Sequence, residues 1–420
     1  MKSAEQLKQS ALQSAAYDTA LQICLRVVSF VLNSIVVRSI GAATFAVCSV
    51  RLLLLYSTTL LLTREAFRRA ALAAKQHQIN EKLVNLVWFG SVSLLPVAGL
   101  LSHVWCRVMA PPPPEVLPNT AHYSYSVVLM LLSCAVELFA ELPFVLAELQ
   151  LWSKTRVVIE GLMQLVRSTL IALVVMVAPS YAVIGYCCCH LIGSCVFTAS
   201  YYIVFYRALR SKTDASKQLP VSNMRQLFPS FSGRSYLPPI DHELGVVARG
   251  FYVQCWLKEL LTEGEWFLMN LLPLVTLTQQ GTYQVVSNLG ALGARLVFRS
   301  IETAAYKFFA QTLVRGEPLS SQHQGRVREA AEFLWGLLRG LSLLSLTILT
   351  FGWSYSHTLL QLYGGSELSA AGTGLLRAQC LLMVLLALNG VTEAYTFAVM
   401  SHHQLHRHSS LLVVCSVCYL

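Results

Sequence analysis

Charge is what this 420-residue chain has least of: Asp, Glu, Lys and Arg make up 12% of it, against about 25% in an ordinary soluble domain. With 55% hydrophobic residues and a mean hydropathy of +0.56, a soluble fold is excluded. Catalytic signatures are missing too. There is no Walker A loop, which removes the usual basis for ATP-driven pumping, no G-x-S-x-G elbow, and no HExxH helix. No Asn-x-Ser/Thr acceptor occurs, and the connections read as non-cytosolic, such as Pro179-Ser180 and Gln279-Gln280-Gly281, leave no room for a lumenal domain. The twelve cysteines give no disulfide framework, because nearly all fall inside apolar runs, among them Cys187, Cys188 and Cys189. The Cys415-x-x-Cys418 pair has no second pair, and His402, His403, His406 and His408 stand in a polar stretch with no cysteine beside them.

What the chain does have is apolar runs of helix length. A bilayer core of about 30 Å takes about 20 helical residues. Ten spans are predicted, at 15–37, 41–62, 83–105, 123–151, 157–178, 181–206, 250–277, 283–313, 330–353 and 375–400. The fold class is all-α, a polytopic helical membrane protein. With the N-terminus cytosolic, the cytosolic segments hold Arg64, Arg68, Arg69, Lys75, Lys82, Lys154, Arg156, Arg207, Arg210, Lys212 and Arg315, while the opposite loops hold little beyond Arg38 and Arg107. That bias follows the positive-inside rule and accounts for the net charge of +10 without nucleic acid.

Residues 207–249, with Pro220, Pro229, Pro238 and Pro239 among basic and polar residues, read as a cytosolic linker. The expected organisation is a six-helix bundle over 1–206, the linker over 207–249, and a second bundle over 250–420. Two transmembrane bundles suit an exporter or flippase arrangement, with the substrate path between the halves. The last apolar run, Ser409 to Leu420, is twelve residues and spans about 18 Å, so the C-terminal bundle is expected to be incomplete.

Ionisable residues inside spans cost about 2.5–3.5 kcal/mol each at the helix centre. Arg26, Arg51, Glu137, Glu141, Arg167, Lys258, Glu259, Glu263, Glu265, Arg295, Arg299, Glu302, Arg339 and Glu393 all fall in or at the ends of spans. Several share a helical face: Glu137 with Glu141, Glu259 with Glu263, and Arg295 with Arg299 and Glu302. One reading is a set of internal ion pairs, with the terminal charges snorkelling to the interface. The other is contact with an anionic ligand, since arginine forks onto phosphate oxygens and keeps its charge. Arg64, Glu65, Arg68 and Arg69 end the second span; helical spacing sets Arg64 beside Arg68 and Glu65 beside Arg69.

The run from Val50 through RLLLLYSTTLLLTREAFRRA to Ala70, LLTEGE at 260–265, SNLGALGARLVFRSIE at 287–302, YGG at 363–365 and NGVTEAYTFA at 389–398 closely resemble the RFT family of endoplasmic-reticulum membrane proteins. The resemblance covers essentially the whole chain. It implies membership of the multidrug/oligosaccharidyl-lipid/polysaccharide exporter superfamily, two bundles around a central cavity, and a part in moving dolichol-pyrophosphate-linked Man5GlcNAc2 to the lumenal leaflet during N-glycan precursor assembly. It singles out Arg64, Glu65, Arg68 and Arg69, Glu263 and Glu265, and Arg295 and Glu302. Trp266, Thr303 and Gln279-Gln280-Gly281 depart from the family pattern.

The expected substrate-binding set is Arg26, Arg51, Arg64, Arg68, Arg69, Arg295, Arg299, Glu263, Glu265 and Glu302, with the arginines receiving the pyrophosphate. The expected partners are the dolichol-linked oligosaccharide, membrane lipids and the enzymes that assemble the N-glycan precursor, with no nucleic acid, no cofactor and no enzymatic activity. A non-transporting accessory protein of dolichol-linked oligosaccharide assembly and a cation-coupled multidrug antiporter, using Glu137 and Glu141, are the alternatives. A membrane glycosyltransferase is disfavoured by the absence of a carboxylate between Arg38 and Thr44.

Overall fold

The computed structural model describes residues 25, 27–73, 81–109, 111–114, 116, 117, 120–150, 152–210, 223–229, 242–272, 275–293, 298–318 and 320–401, with isolated positions as far as 415. The described residues are helical, without strands. In chain order the helices are α1 (Val27–Leu72), α2 (Glu81–Val92), α3 (Leu94–His103), α4 (Thr120–Leu138), α5 (Glu141–Leu149), α6 (Ser153–Val177), α7 (Ala182–Arg210), α8 (His242–Leu271), α9 (Leu277–Gly293), α10 (Arg299–Thr312), α11 (Gln324–Gly364) and α12 (Ser366–Val399). Seven described helical runs are long and apolar enough to cross a membrane, which makes this a multi-pass membrane protein.

The spans differ from expectation, and neither 250–277 nor 283–313 is among those seven runs. The first two form the single run Val27–Leu72, in which Gly41 takes φ +73°, a left-handed geometry that glycine adopts without Cβ strain. A right-handed helix does not accommodate that angle, so the run changes direction where the predicted loop lay. The span expected at 123–151 is broken into α4 and α5. Pro143 has no N–H to give to the carbonyl of Phe139, so α4 cannot continue through it; Ala140 turns instead at φ −85°, ψ −2°. The carbonyls near the break find side-chain donors, Thr198 Oγ1 on Val136 at 2.7 Å and Tyr202 Oη on Phe139 at 3.0 Å. Gln279, Gln280 and Gly281, expected to form a connection, lie inside the first turns of α9.

The chain forms two compact units, Met1–Val275 and Thr276–Leu420. Helix α8, expected to open the second bundle at Gly250, packs in the first unit, where Ala248 and Phe251 meet Ala70, Phe67 and Leu86. The first unit's largest core gathers Ala71, Leu83, Val87, Leu142, Phe144, Leu146, Phe197, Tyr201 and Phe205. Part of the predicted linker belongs to it: Met224–Leu227 form one turn of 3-10 helix, Leu227 is fully buried, and Trp88 Nε1 donates to its carbonyl at 2.9 Å. In the second unit α11 and α12 pack side by side after Gly365 (φ +89°) turns the chain, and Phe309 and Ala305 of α10 pack on Ala394 and Ala398 of α12. Most of the terminal run from Ser409 to Leu420, with Cys418, His402, His403 and His406, lies outside the described residues.

Candidate functional site

The charged end of α1 is held against the α4–α5 break. Within α1, the backbone is π-helical over Val47–Leu52 and again over Leu61–Glu65, wound wider than the flanking α-helix. The second bulge ends at Arg64 and Glu65. Arg64 Nη1 donates to Glu137 Oε1 at 2.6 Å, and Arg68 forks onto Glu141, Nε to Oε1 at 2.5 Å and Nη2 to Oε2 at 2.6 Å. Two arginines four residues apart on one helix therefore meet two carboxylates four residues apart across the break. Arg68 also lies over the Phe144 ring, 3.8 Å from its centroid. Arg69 pairs with Glu65 on the same helix at 2.9 Å, where both are half-buried.

Depth separates the partners. The carboxylates of Glu137 and Glu141 are 4% and 3% exposed, whereas Arg64 keeps 22% of its side chain accessible. Each pair is neutral, and its carboxylate lies deeper than the arginine side chain that meets it. Gly90 of α2 makes the approach to the bulge possible, since a Cβ there would stand 2.6 Å from the carbonyl oxygen of Thr63.

Behind Glu137 the network goes deeper. Tyr56 of α1 donates its hydroxyl to Glu137 Oε2 and receives Arg167 Nη2 of α6 at 3.2 Å. Ser194 of α7 reaches the same carboxylate oxygen at 3.5 Å and shares a 2.9 Å bond with Ser133. Arg167 is 7% exposed, and Gly193 leaves room for it, because a Cβ there would lie 3.1 Å from its Nε. His190 packs between Tyr56 and Tyr186, with ring centroids 5.4 and 4.6 Å away.

Further along α1, Arg51 is 6% exposed; its Nε donates to Asn270 Oδ1 of α8 at 3.1 Å, and its carbonyl accepts Trp105 Nε1 at 2.9 Å. Thr58 donates to Glu259 of α8 at 3.0 Å, so α8 is fixed to α1 by polar contacts at two levels.

Of the sequence-predicted set, Arg51, Arg64, Arg68 and Arg69 fall on one helix in the first unit. Glu263 and Glu265 lie half-buried on α8. Glu302 is half-exposed on α10, in the second unit, and its carboxylate fills the space that a Cβ on Gly390 would need. Arg26 and Arg295 lie outside the described residues, as does the side chain of Arg299, whose backbone begins α10. Sequence reasoning left out Tyr56, Glu137, Glu141 and Arg167 as site members. The signal for the carboxylates was present: an R-x-x-x-R and an E-x-x-x-E of equal spacing on two helices.

The fold and the sequence have known counterparts. A multidrug resistance MATE family transporter of the MOP superfamily, solved in an inward-facing conformation, superposes with a TM-score of 0.60 over 93% of this chain and 83% of its own, at 10% identity. That likeness shows a fold shared with that transporter. The Man(5)GlcNAc(2)-PP-dolichol translocation protein RFT1 of Mus musculus is 37% identical over 100% of this chain and 77% of its own length. Its namesakes in Xenopus tropicalis (34%; 99% and 76%) and Drosophila melanogaster (32%; 99% and 80%) match over similar lengths. The family model described as Rft protein matches residues 10–420, and with it this chain belongs to the Rft family.

Proposed function

We propose that this chain moves Man5GlcNAc2-PP-dolichol from the cytosolic to the lumenal leaflet of the endoplasmic-reticulum membrane in N-linked glycosylation, as a non-enzymatic translocation protein whose N-terminus faces the cytosol. The carrying observation is the match, at 32–37% identity along nearly the whole chain, to relatives named for translocating that glycolipid. The site supports it chemically. A pyrophosphate head group needs cationic donors that keep their charge away from bulk water, and guanidinium does so. Arg64 is the best placed, because it commits one nitrogen to Glu137 and remains partly accessible, whereas Arg68 commits a fork and a ring stack to its own fold. Arg26, Arg51, Arg295 and Arg299 remain part of the proposed receiving set, with Glu263, Glu265 and Glu302 as its carboxylates. Membrane lipids and enzymes of N-glycan precursor assembly are the proposed partners.

A cation-coupled antiporter is less well supported. The carboxylates it would use, Glu137 and Glu141, are already occupied by Arg64 and Arg68.

The test is purified protein in liposomes with labelled Man5GlcNAc2-PP-dolichol. Transbilayer exposure of the label should require the protein and should fall about tenfold or more with Arg64→Ala, the scale of losing a charge-assisted contact. Equal exposure in protein-free liposomes, or with the Arg64→Ala variant, would sink this reading.

A further inference from the structure

Glu137 stands between two guanidinium groups. Arg64 holds one carboxylate oxygen at 2.6 Å from the accessible side. Arg167 reaches the other through the Tyr56 hydroxyl, which accepts from Arg167 and donates to Glu137. The three groups carry two positive charges and one negative, in a region where Glu137 and Arg167 are 3% and 7% exposed. Arg167 Nε and His190 Nδ1, both buried, find no hydrogen-bond partner there, so Arg167 is not fully satisfied by its surroundings. A buried carboxylate with Arg64 as its single counter-charge would hold on to it and oppose any exchange of that arginine onto a ligand. This carboxylate has a second one.

We propose that Tyr56 and Arg167 are positioning residues forming a standby counter-charge for Glu137, which takes over the carboxylate when Arg64 swings to an anionic diphosphate head group. This rests on the reading of Arg64 as the head-group receiver. The exchange is of partners only: Arg64 gives up Glu137 Oε1 for a phosphate oxygen, while Tyr56 and Arg167 keep Glu137 Oε2 bonded and compensated. Neither needs to touch the ligand. Arg68 has no such relief in view, since its fork uses both oxygens of Glu141, and it stays in place.

The experiment is equilibrium binding of farnesyl pyrophosphate, a polyprenyl diphosphate without glycan, to the full chain in detergent, with the unfolding midpoint recorded for every variant. Arg64→Gln should weaken binding about tenfold by removing the receiving charge. Arg167→Gln should weaken it about as much by trapping Arg64 on Glu137, Tyr56→Phe about threefold by cutting the relay, and Arg167→Lys least, since it keeps the charge. The decisive variant is Glu137→Gln combined with Arg167→Gln. A neutral residue at 137 neither holds Arg64 nor needs compensation, so affinity should return to the wild-type value or better, a rescue that a merely structural Arg167 would not give. Arg64→Gln weakened with Arg167→Gln and Tyr56→Phe unchanged would overturn the standby role and leave the receiver reading standing. Unchanged binding by Arg64→Gln would overturn the receiver reading itself. If Arg167→Gln does not fold, Tyr56→Phe and the double variant decide the question, and no loss in the first or no recovery in the second rejects the proposal.

Discussion

Residues 1–275 bury charge at helix contacts, with Arg51, Glu137, Glu141, Arg167 and Glu259 all less than a tenth exposed. Among the described residues of 276–420 the buried polar side chains are neutral: Gln280, Thr282, Gln322, Ser345, Ser356 and Ser369. The second unit is assembled by close approach of small residues. A Cβ on Gly352 of α11 would stand 2.5 Å from Cys380 Sγ of α12, and one on Gly372 would meet Leu360, Val286 and Thr282 at 3.1 to 3.3 Å. Small-residue packing of this kind is a general way to join helices in lipid, where apolar faces gain nothing by leaving the hydrocarbon. The contrast teaches where specificity resides. Ion pairs fix which residues of α1 and α4–α5 stand opposite each other, whereas glycine contacts fix only how near two helices come.

Four perturbations test that contrast, and the largest should fall on the first unit. Glu141→Ala strands Arg68 against Phe144 and should destabilise by about 3–5 kcal/mol, seen as a lower unfolding midpoint in detergent. Removing Arg68 as well should recover part of that loss, because no buried charge is then left unpaired. A Glu141→Ala midpoint equal to wild type would mean the pair does not shape the unit.

Glycine substitutions should come next and be felt in both units. Gly90→Ala presses a methyl onto the Thr63 carbonyl and Gly352→Ala presses one onto Cys380, each costing about 1–3 kcal/mol by overpacking. The Gly90 variant should be the more damaging, since backbone at the π bulge yields less readily than a thiol. The reverse order in the unfolding midpoints would break the argument.

A smaller effect is expected at the docked linker turn. Trp88→Phe removes the bond to the Leu227 carbonyl and weakens the ring contact with Phe228, costing about 1 kcal/mol. Hydrogen exchange should accelerate over 223–229 while α11 and α12 keep their rates. The smallest is at the surface of the second unit, where Arg328 and Glu332 pair at 2.8 Å while 82% and 66% exposed. Glu332→Gln should leave the unfolding midpoint where it was, and a clear drop would show that charge also matters in that unit.

Much of the architecture was legible because a bilayer imposes length and apolarity on every span. Runs of about 20 apolar residues carry that information residue by residue. Pro143 is a helix breaker in the middle of the predicted span 123–151, but the apolar run continues on both sides of it. Gly41 was similar: the sequence marks a small residue there, while its left-handed angle depends on the helices it joins. The linker was read from its prolines and polar residues, and those same features concealed Leu227, whose burial needs the pocket formed by α2, α5 and α7.

The sequence by itself determined that this chain lives in a membrane as a bundle of helices, which ends of them are basic, and which arginines stand together on α1. It did so because hydropathy, charge and helical spacing are properties of neighbours along the chain. Only the tertiary structure decided that Arg64 and Arg68 face Glu137 and Glu141, that Arg167 stands behind Tyr56, and that α8 packs with the first unit. An arginine looks the same in sequence whether its counter-charge lies four residues away, as Glu65 does for Arg69, or 73, as Glu137 does for Arg64. Pairing across helices depends on how the bundle closes, and no local pattern carries that distance.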